Sequence, residues 1–153
     1  MIEIKEGDKA PTFTSKDQHG NTVSLAQFKG KKVILYFYPK DSTPGCTAEA
    51  CDFRDNYQGL EAKGITVLGV SVDDEKSHLK FIEKNSLPFK LLADTDKAIV
   101  EAYGVWGEKN MYGKKYMGIN RTTFIIDEDG NIAHIITKVD TKNPTAQVLD
   151  LIK

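Results

Sequence analysis

Val33-Ile34-Leu35-Tyr36-Phe37-Tyr38-Pro39-Lys40-Asp41-Ser42-Thr43-Pro44-Gly45-Cys46 reads as a strand, a short connection and the first turn of a helix. The opening run is apolar without alternation, which is the pattern of a strand buried on both faces. Thr43 is placed to cap a helix, and Pro44 occupies the first helical position, where no amide donor is missed. Working outward, residues 65–72 and, more weakly, 89–93 repeat the buried-strand pattern, and helical periodicity marks 44 to about 63, 75–85 and 97–103. That order, strand and helix in alternation, predicts parallel strands with helical crossovers.

The two ends of the chain change the pattern. Thr122-Thr123-Phe124-Ile125-Ile126, a turn at Asp127-Glu128-Asp129-Gly130 and a strand over 132–137 form an antiparallel hairpin, and Asn143 starts a closing helix over 144–152. Upstream, Thr12-Phe13-Thr14-Ser15 and Asn21-Thr22-Val23-Ser24 form a polar hairpin, and Leu25 to Phe28 form a helical turn stopped by Gly30. Parallel strands first and antiparallel strands last predict an α/β domain. Its mixed central sheet of about five strands is flanked by helices on both faces, which is a thioredoxin-like architecture with an N-terminal hairpin.

Bulk composition bounds the function. The chain has 153 residues and 17.1 kDa, is 40% hydrophobic and 28% charged, and carries a net charge of -1, so a single domain spanning residues 1–153 is expected. Its 21 basic and 22 acidic residues are mixed along the chain, which leaves no basic field for nucleic acid or anionic lipid. No apolar run approaches the roughly 20 residues of a membrane span, and the N-terminus is charged from Glu3, unlike a secretory leader. A cytoplasmic protein is expected. In a reducing compartment its two cysteines, Cys46 and Cys51, are catalytic, metal-binding or inert before they are a structural staple.

Helix geometry separates the two thiols. Cys46 falls in the first turn, where unpaired amides and the positive dipole end favour the thiolate, the nucleophilic form. At about 100° per residue, Cys46, Ala50, Phe53, Tyr57 and Leu60 line one apolar stripe, whereas Cys51 turns roughly 140° away, toward Asp55, Gln58 and Ala62. Residues five apart on a helix have Cα atoms on the order of 8.5 Å apart, beyond the roughly 7 Å that a disulfide spans. A bridge between them therefore requires the first turns to unwind, which Gly45 makes easier.

Pro39, Thr43 and Cys46 fill the three fixed positions of Pro-x-x-x-Thr-x-x-Cys, and the run from Phe37 through Thr43-Pro44-Gly45-Cys46-Thr47-Ala48-Glu49-Ala50-Cys51 to Asp55 resembles the peroxiredoxin Q subfamily, also called bacterioferritin comigratory protein. The likeness extends from Gly7-Asp8-Lys9-Ala10-Pro11 through Leu87-Pro88-Phe89 to Arg121-Thr122-Thr123-Phe124. It implies a thiol peroxidase for hydrogen peroxide and organic hydroperoxides. Cys46 would attack the peroxide and become a sulfenic acid, and Cys51 would resolve it as an intramolecular disulfide. Thioredoxin or a similar dithiol would restore both thiols, with no metal or organic cofactor, in a chain that works as a monomer. It further implies that Arg121 reaches the thiolate, that the Thr43 hydroxyl hydrogen-bonds at the same point and that Pro39 shields it. Glu49 would hold the Arg121 guanidinium.

Two other readings use the same cysteines. A general thiol-disulfide oxidoreductase favours Cys-x-x-Cys, which this chain lacks, and a copper-binding module of the same fold would need His134 as a third ligand. His78 shares a helical stripe with Leu79 and Ile82 and reads as a satisfied, partly buried histidine rather than a ligand. Residues 106–119, with three glycines among Trp106, Met111, Tyr112, Tyr116 and Met117, read as an irregular loop, either lining an organic-peroxide pocket, docking a reductant or packing its own aromatics.

Overall fold

A computed structural model, describing residues 3–152, begins with a small antiparallel ribbon of β1 (Thr14–Lys16) and β2 (Thr22–Ser24), followed by a single 3₁₀ turn, Leu25–Phe28. Then come β3 (Lys32–Phe37), α1 (Pro44–Ala62), β4 (Ile65–Ser71), α2 (Glu75–Asn85), β5 (Lys90–Ala93) and α3 (Ala98–Ala102). A second ribbon, β6 (Trp106–Met111) and β7 (Lys114–Ile119), precedes β8 (Thr122–Ile126), β9 (Ile132–Ile136) and α4 (Pro144–Leu151). The central sheet runs β5-β4-β3-β8-β9, with β4 and β5 parallel to β3, β8 antiparallel to β3, and β9 antiparallel to β8. The thioredoxin-like reading holds, and β3 lies at the sheet's centre, where a strand without a polar face belongs. Among the described residues no helix is long and apolar enough to cross a membrane.

The period-2 alternation of β3 divides the core in two. Val33, Leu35 and Phe37 join α3 and the N-terminal ribbon on one face, whereas Ile34 and Tyr36, with Tyr38 just beyond, pack under α1, α2 and α4 on the other. Tyr36 pairs in register with Gly69 of β4 and packs against Phe53 of α1, with ring centroids 5.0 Å apart. A Cβ at Gly69 would stand 2.9 Å from the Tyr36 ring and 2.6 Å from Leu91, so the glycine makes the seat for this aromatic.

The register also decides what the end of the sheet presents. In the antiparallel pair of β3 and β8, Phe37 faces Thr122. The chain leaving β3 toward α1 therefore lies beside the chain entering β8, and Arg121, the residue before Thr122, is delivered to the N-terminus of α1.

Two local expectations change. Residues 106–119 are a regular hairpin, not an irregular loop: Tyr112 and Gly113 both take left-handed backbone (φ 53° and 83°), as a two-residue I′ turn requires. Tyrosine rarely adopts that conformation, so the turn carries no Asn-Gly signal; Asn110 supports it by accepting from the Gly113 amide at 3.0 Å. Asn143 occupies the N-cap position of α4 but makes no side-chain cap bond; the Thr145 amide donates instead to Asp52 of α1, at 3.0 Å.

Candidate active site

Cys46 lies in the first turn of α1 and is 1% exposed. The turn opens as the sequence implies, with Thr43 in extended backbone at the N-cap, Pro44 next and the Thr47 amide donating to the Thr43 carbonyl at 2.8 Å. The Thr43 hydroxyl makes no cap bond; it donates to the Lys40 carbonyl at 2.9 Å, inside the loop that starts at the half-buried Pro39. Ser42 in this loop holds a left-handed φ of 63°, a conformation that costs a non-glycine residue free energy and that the flanking contacts maintain.

Arg121 closes the site from the entry to β8, the strand next to β3. Its Nη2 donates to Cys46 Sγ at 3.2 Å and its Nη1 to Glu49 Oε1 at 2.7 Å, with the guanidinium lying over Gly45. Burial works against this cation, but the Cys46 thiolate and the Glu49 carboxylate outweigh it and hold Arg121 above its ordinary range. Glu49, one helical turn after Cys46, is fully buried rather than solvated. Burial pushes its carboxyl up more than Arg121 pulls it down, which leaves it at about 7. Its second oxygen has no hydrogen-bond partner, and neither does the buried Tyr36 hydroxyl. The Tyr36 hydroxyl is driven well above its usual range by burial first, then by the charges of Glu49 and Cys46.

Cys51 is half-buried on a different face of α1, and both cysteines are free thiols in an unbroken helix. Its sulfur donates to Asn85 Oδ1 at 3.7 Å, at the end of α2, and Arg54 ties the same place by donating to the Asn85 carbonyl at 2.8 Å. The divergence of the two sulfurs inferred from helical spacing is thus present, with α2 holding the second one.

A buried polar group behind the loop escaped the sequence reading. Asp41 accepts from the Tyr38 hydroxyl at 2.6 Å and the Ser77 hydroxyl at 2.8 Å, and its Oδ2 lies 2.7 Å from His78 Nδ1. The Asp41 amide donates to Asp73 Oδ2 at 2.8 Å, pinning the connection between β3 and α1 to the end of β4. His78 is fully, not partly, buried; its Nε2 lies 2.9 Å from the Leu92 carbonyl, which can only accept, so that nitrogen carries a proton. Among the described residues, Asp41, Asp73 and His78 are the one group with metal-ligand proximity, and hydrogen bonds within the chain account for each of them. Neither cysteine belongs to that group, and His134 instead faces Glu6, at 3.8 Å. Among the described residues, Cys46, Cys51 and His134 do not come together as a ligand set.

A buried thiol at a helix N-terminus, with an arginine on its sulfur, on a thioredoxin-like sheet, is the candidate for a cysteine-based redox site. The sequence profile of the AhpC/TSA family matches residues 6–135, and this chain belongs to that family. It is 52% identical to a putative peroxiredoxin bcp of Coxiella burnetii over 97% of this chain and 98% of that one, and 47% identical to peroxiredoxin Bcp of Bacillus subtilis over 99% and 97%. Among solved structures, a cysteine mutant of Xylella fastidiosa PrxQ superposes with a TM-score of 0.93 at 31% identity, covering 99% of this chain and 97% of that one. The Xanthomonas campestris bacterioferritin comigratory protein, described for its alkyl peroxide reduction activity, gives 0.88 at 35% identity, over 99% and 94%. The resemblance read from Pro39, Thr43 and Cys46 holds over nearly the whole chain.

Proposed function

We propose that this chain is a two-cysteine peroxidase in which Cys46 attacks hydrogen peroxide or an organic hydroperoxide and Cys51 resolves the product. The observation that carries the reading is the 3.2 Å contact of Arg121 with Cys46 Sγ in the first turn of α1. A permanent cation and free helix amides together favour the thiolate and the charge that develops on the peroxide. The sulfur bonds to the terminal peroxide oxygen and the O–O bond breaks. The leaving oxygen takes a proton and departs as alcohol or water, and Cys46 becomes a sulfenic acid. The Thr43 hydrogen is committed to Lys40, so its lone pairs are free to accept from the incoming peroxide. Pro39, which has no N–H, keeps a hydrogen-bond donor and its water away from the thiolate, and Glu49 orients the guanidinium.

The first turns of α1 then unwind and release Cys51 from Asn85. Its thiolate attacks the sulfenic sulfur, hydroxide leaves as water, and an intramolecular disulfide forms. An external dithiol such as thioredoxin reduces the disulfide and returns both thiols. Both cysteines are in one chain, so the cycle needs no group from a second copy and runs in a monomer. The test is NADPH consumption with thioredoxin, its reductase and a peroxide. Cys46→Ser should abolish turnover, and Cys51→Ser should leave one stoichiometric peroxide reduction. Full activity in Cys46→Ser would end the reading.

A further inference from the structure

The hairpin of β6 and β7 ties a second cation, Lys109, to the backbone just before Arg121. Gly107 and Gly118 face each other in its register at the base of the hairpin. A Cβ at Gly118 would stand 3.1 Å from Lys109 Cδ, and one at Gly107 would stand 3.2 Å from Asn120 Nδ2. Gly118, having no side chain, thus leaves a floor against which the Lys109 stem lies. Along that floor its ammonium reaches the Ile119 carbonyl and donates to it at 2.9 Å. Ile119 ends β7 two residues before Arg121, so this bond holds the strand that delivers the guanidinium to Cys46. Burial and the Arg121 cation press the Lys109 ammonium below the ordinary lysine range, and the Cys46 thiolate pulls it back up. Lys109 thus feels the charges of both Arg121 and Cys46, although 63 residues of sequence separate it from Cys46.

We propose that Lys109 is a positioning residue of the peroxide site: it fixes Arg121 through the Ile119 carbonyl and adds a second positive charge beside the Cys46 thiolate. A tether alone would need a donor; a site cation needs the charge as well, and the two roles separate by substitution. Lys109→Gln keeps a donor and loses the charge, Lys109→Arg keeps both, and Lys109→Met loses both. Although the proposal rests on Cys46 being the peroxide-reactive thiol, its primary readout does not require turnover. The rate of Cys46 alkylation by iodoacetamide is followed against pH in a Cys51→Ser background, where one thiol reports. Lys109→Met and Lys109→Gln should both move that profile to higher pH, by about half a unit for one partly screened charge, and Lys109→Arg should restore it. With intact cysteines, the second-order rate of peroxide reduction should fall about 5- to 20-fold in Lys109→Met and return to within about 2-fold in Lys109→Arg. An unchanged alkylation profile in Lys109→Met, or a wild-type profile in Lys109→Gln, overturns the proposal. Failure of the parent protein to reduce peroxide while the profiles still shift would instead overturn the peroxidase reading.

Discussion

Glu49→Gln should stabilise the folded chain at alkaline pH while impairing its chemistry. In the folded state the Glu49 carboxyl protonates at about 7 rather than at its ordinary 4.5, because burial penalises the ionised form more than Arg121 rewards it. The folded chain therefore binds this proton more tightly than the unfolded chain does. The stabilisation this confers is complete below about pH 4.5 and is lost as pH rises through about 7. The difference amounts to about 3 kcal/mol, with no discount for solvent screening because the side chain is fully buried. Glutamine keeps the shape and an oxygen for Arg121 but never ionises. The measurement is urea unfolding at intervals from pH 5 to 8, comparing the parent with the Glu49→Gln variant, both in a Cys46→Ser background so that the thiolate does not titrate. Taking the difference between the two proteins cancels every other titrating group. At pH 5 the variant should be equal in stability or slightly weaker, since its amide hydrogens lack an acceptor. Its relative stability should then climb by up to about 1.4 kcal/mol per pH unit and level off near pH 8. In the active protein the same change should slow peroxide reduction about 5- to 10-fold by loosening Arg121, a trade of stability for activity. A difference that stays constant within about 0.5 kcal/mol across this range would refute the argument that burial dominates the Glu49 environment.

Arg121→Met should lower the second-order rate with peroxide by about 10²- to 10³-fold, the loss expected when a donor to developing charge is removed. Arg121→Lys should recover little of it, since one ammonium cannot bond Cys46 and Glu49 in the fork seen here; stopped-flow kinetics with excess peroxide would measure both. Gly69→Ala should cost about 2 to 4 kcal/mol in urea unfolding, because its methyl would meet Leu91 at 2.6 Å and the Tyr36 ring at 2.9 Å in a close-packed layer. Wild-type stability in that variant would mean that the β3 and β4 layers yield more than this packing implies.

The sequence alone determined those features whose causes lie within a turn or two of backbone. The unbroken apolar run of β3, the Thr43-Pro44 start of α1 and the stripe from Cys46 to Leu60 are local preferences, and each appears where the residues place it. The same local rules misread residues 106–119, where a tyrosine in left-handed backbone replaces the usual turn residues. Arg121 was legible only through resemblance, since nothing near it in sequence points to a cysteine 75 residues away. Tertiary structure alone decided that Glu49 is a desolvated partner rather than a wet helix residue, that Asp41 anchors the loop before Cys46, and that Lys109 reaches the Ile119 carbonyl. The physical reason is strand register: β3 against β8 for Glu49 and Arg121, β3 against β4 for Asp41, and β6 against β7 for Lys109. Periodicity specifies which face of an element is apolar, but the ladder that sets Phe37 beside Thr122 specifies which charges meet at its end.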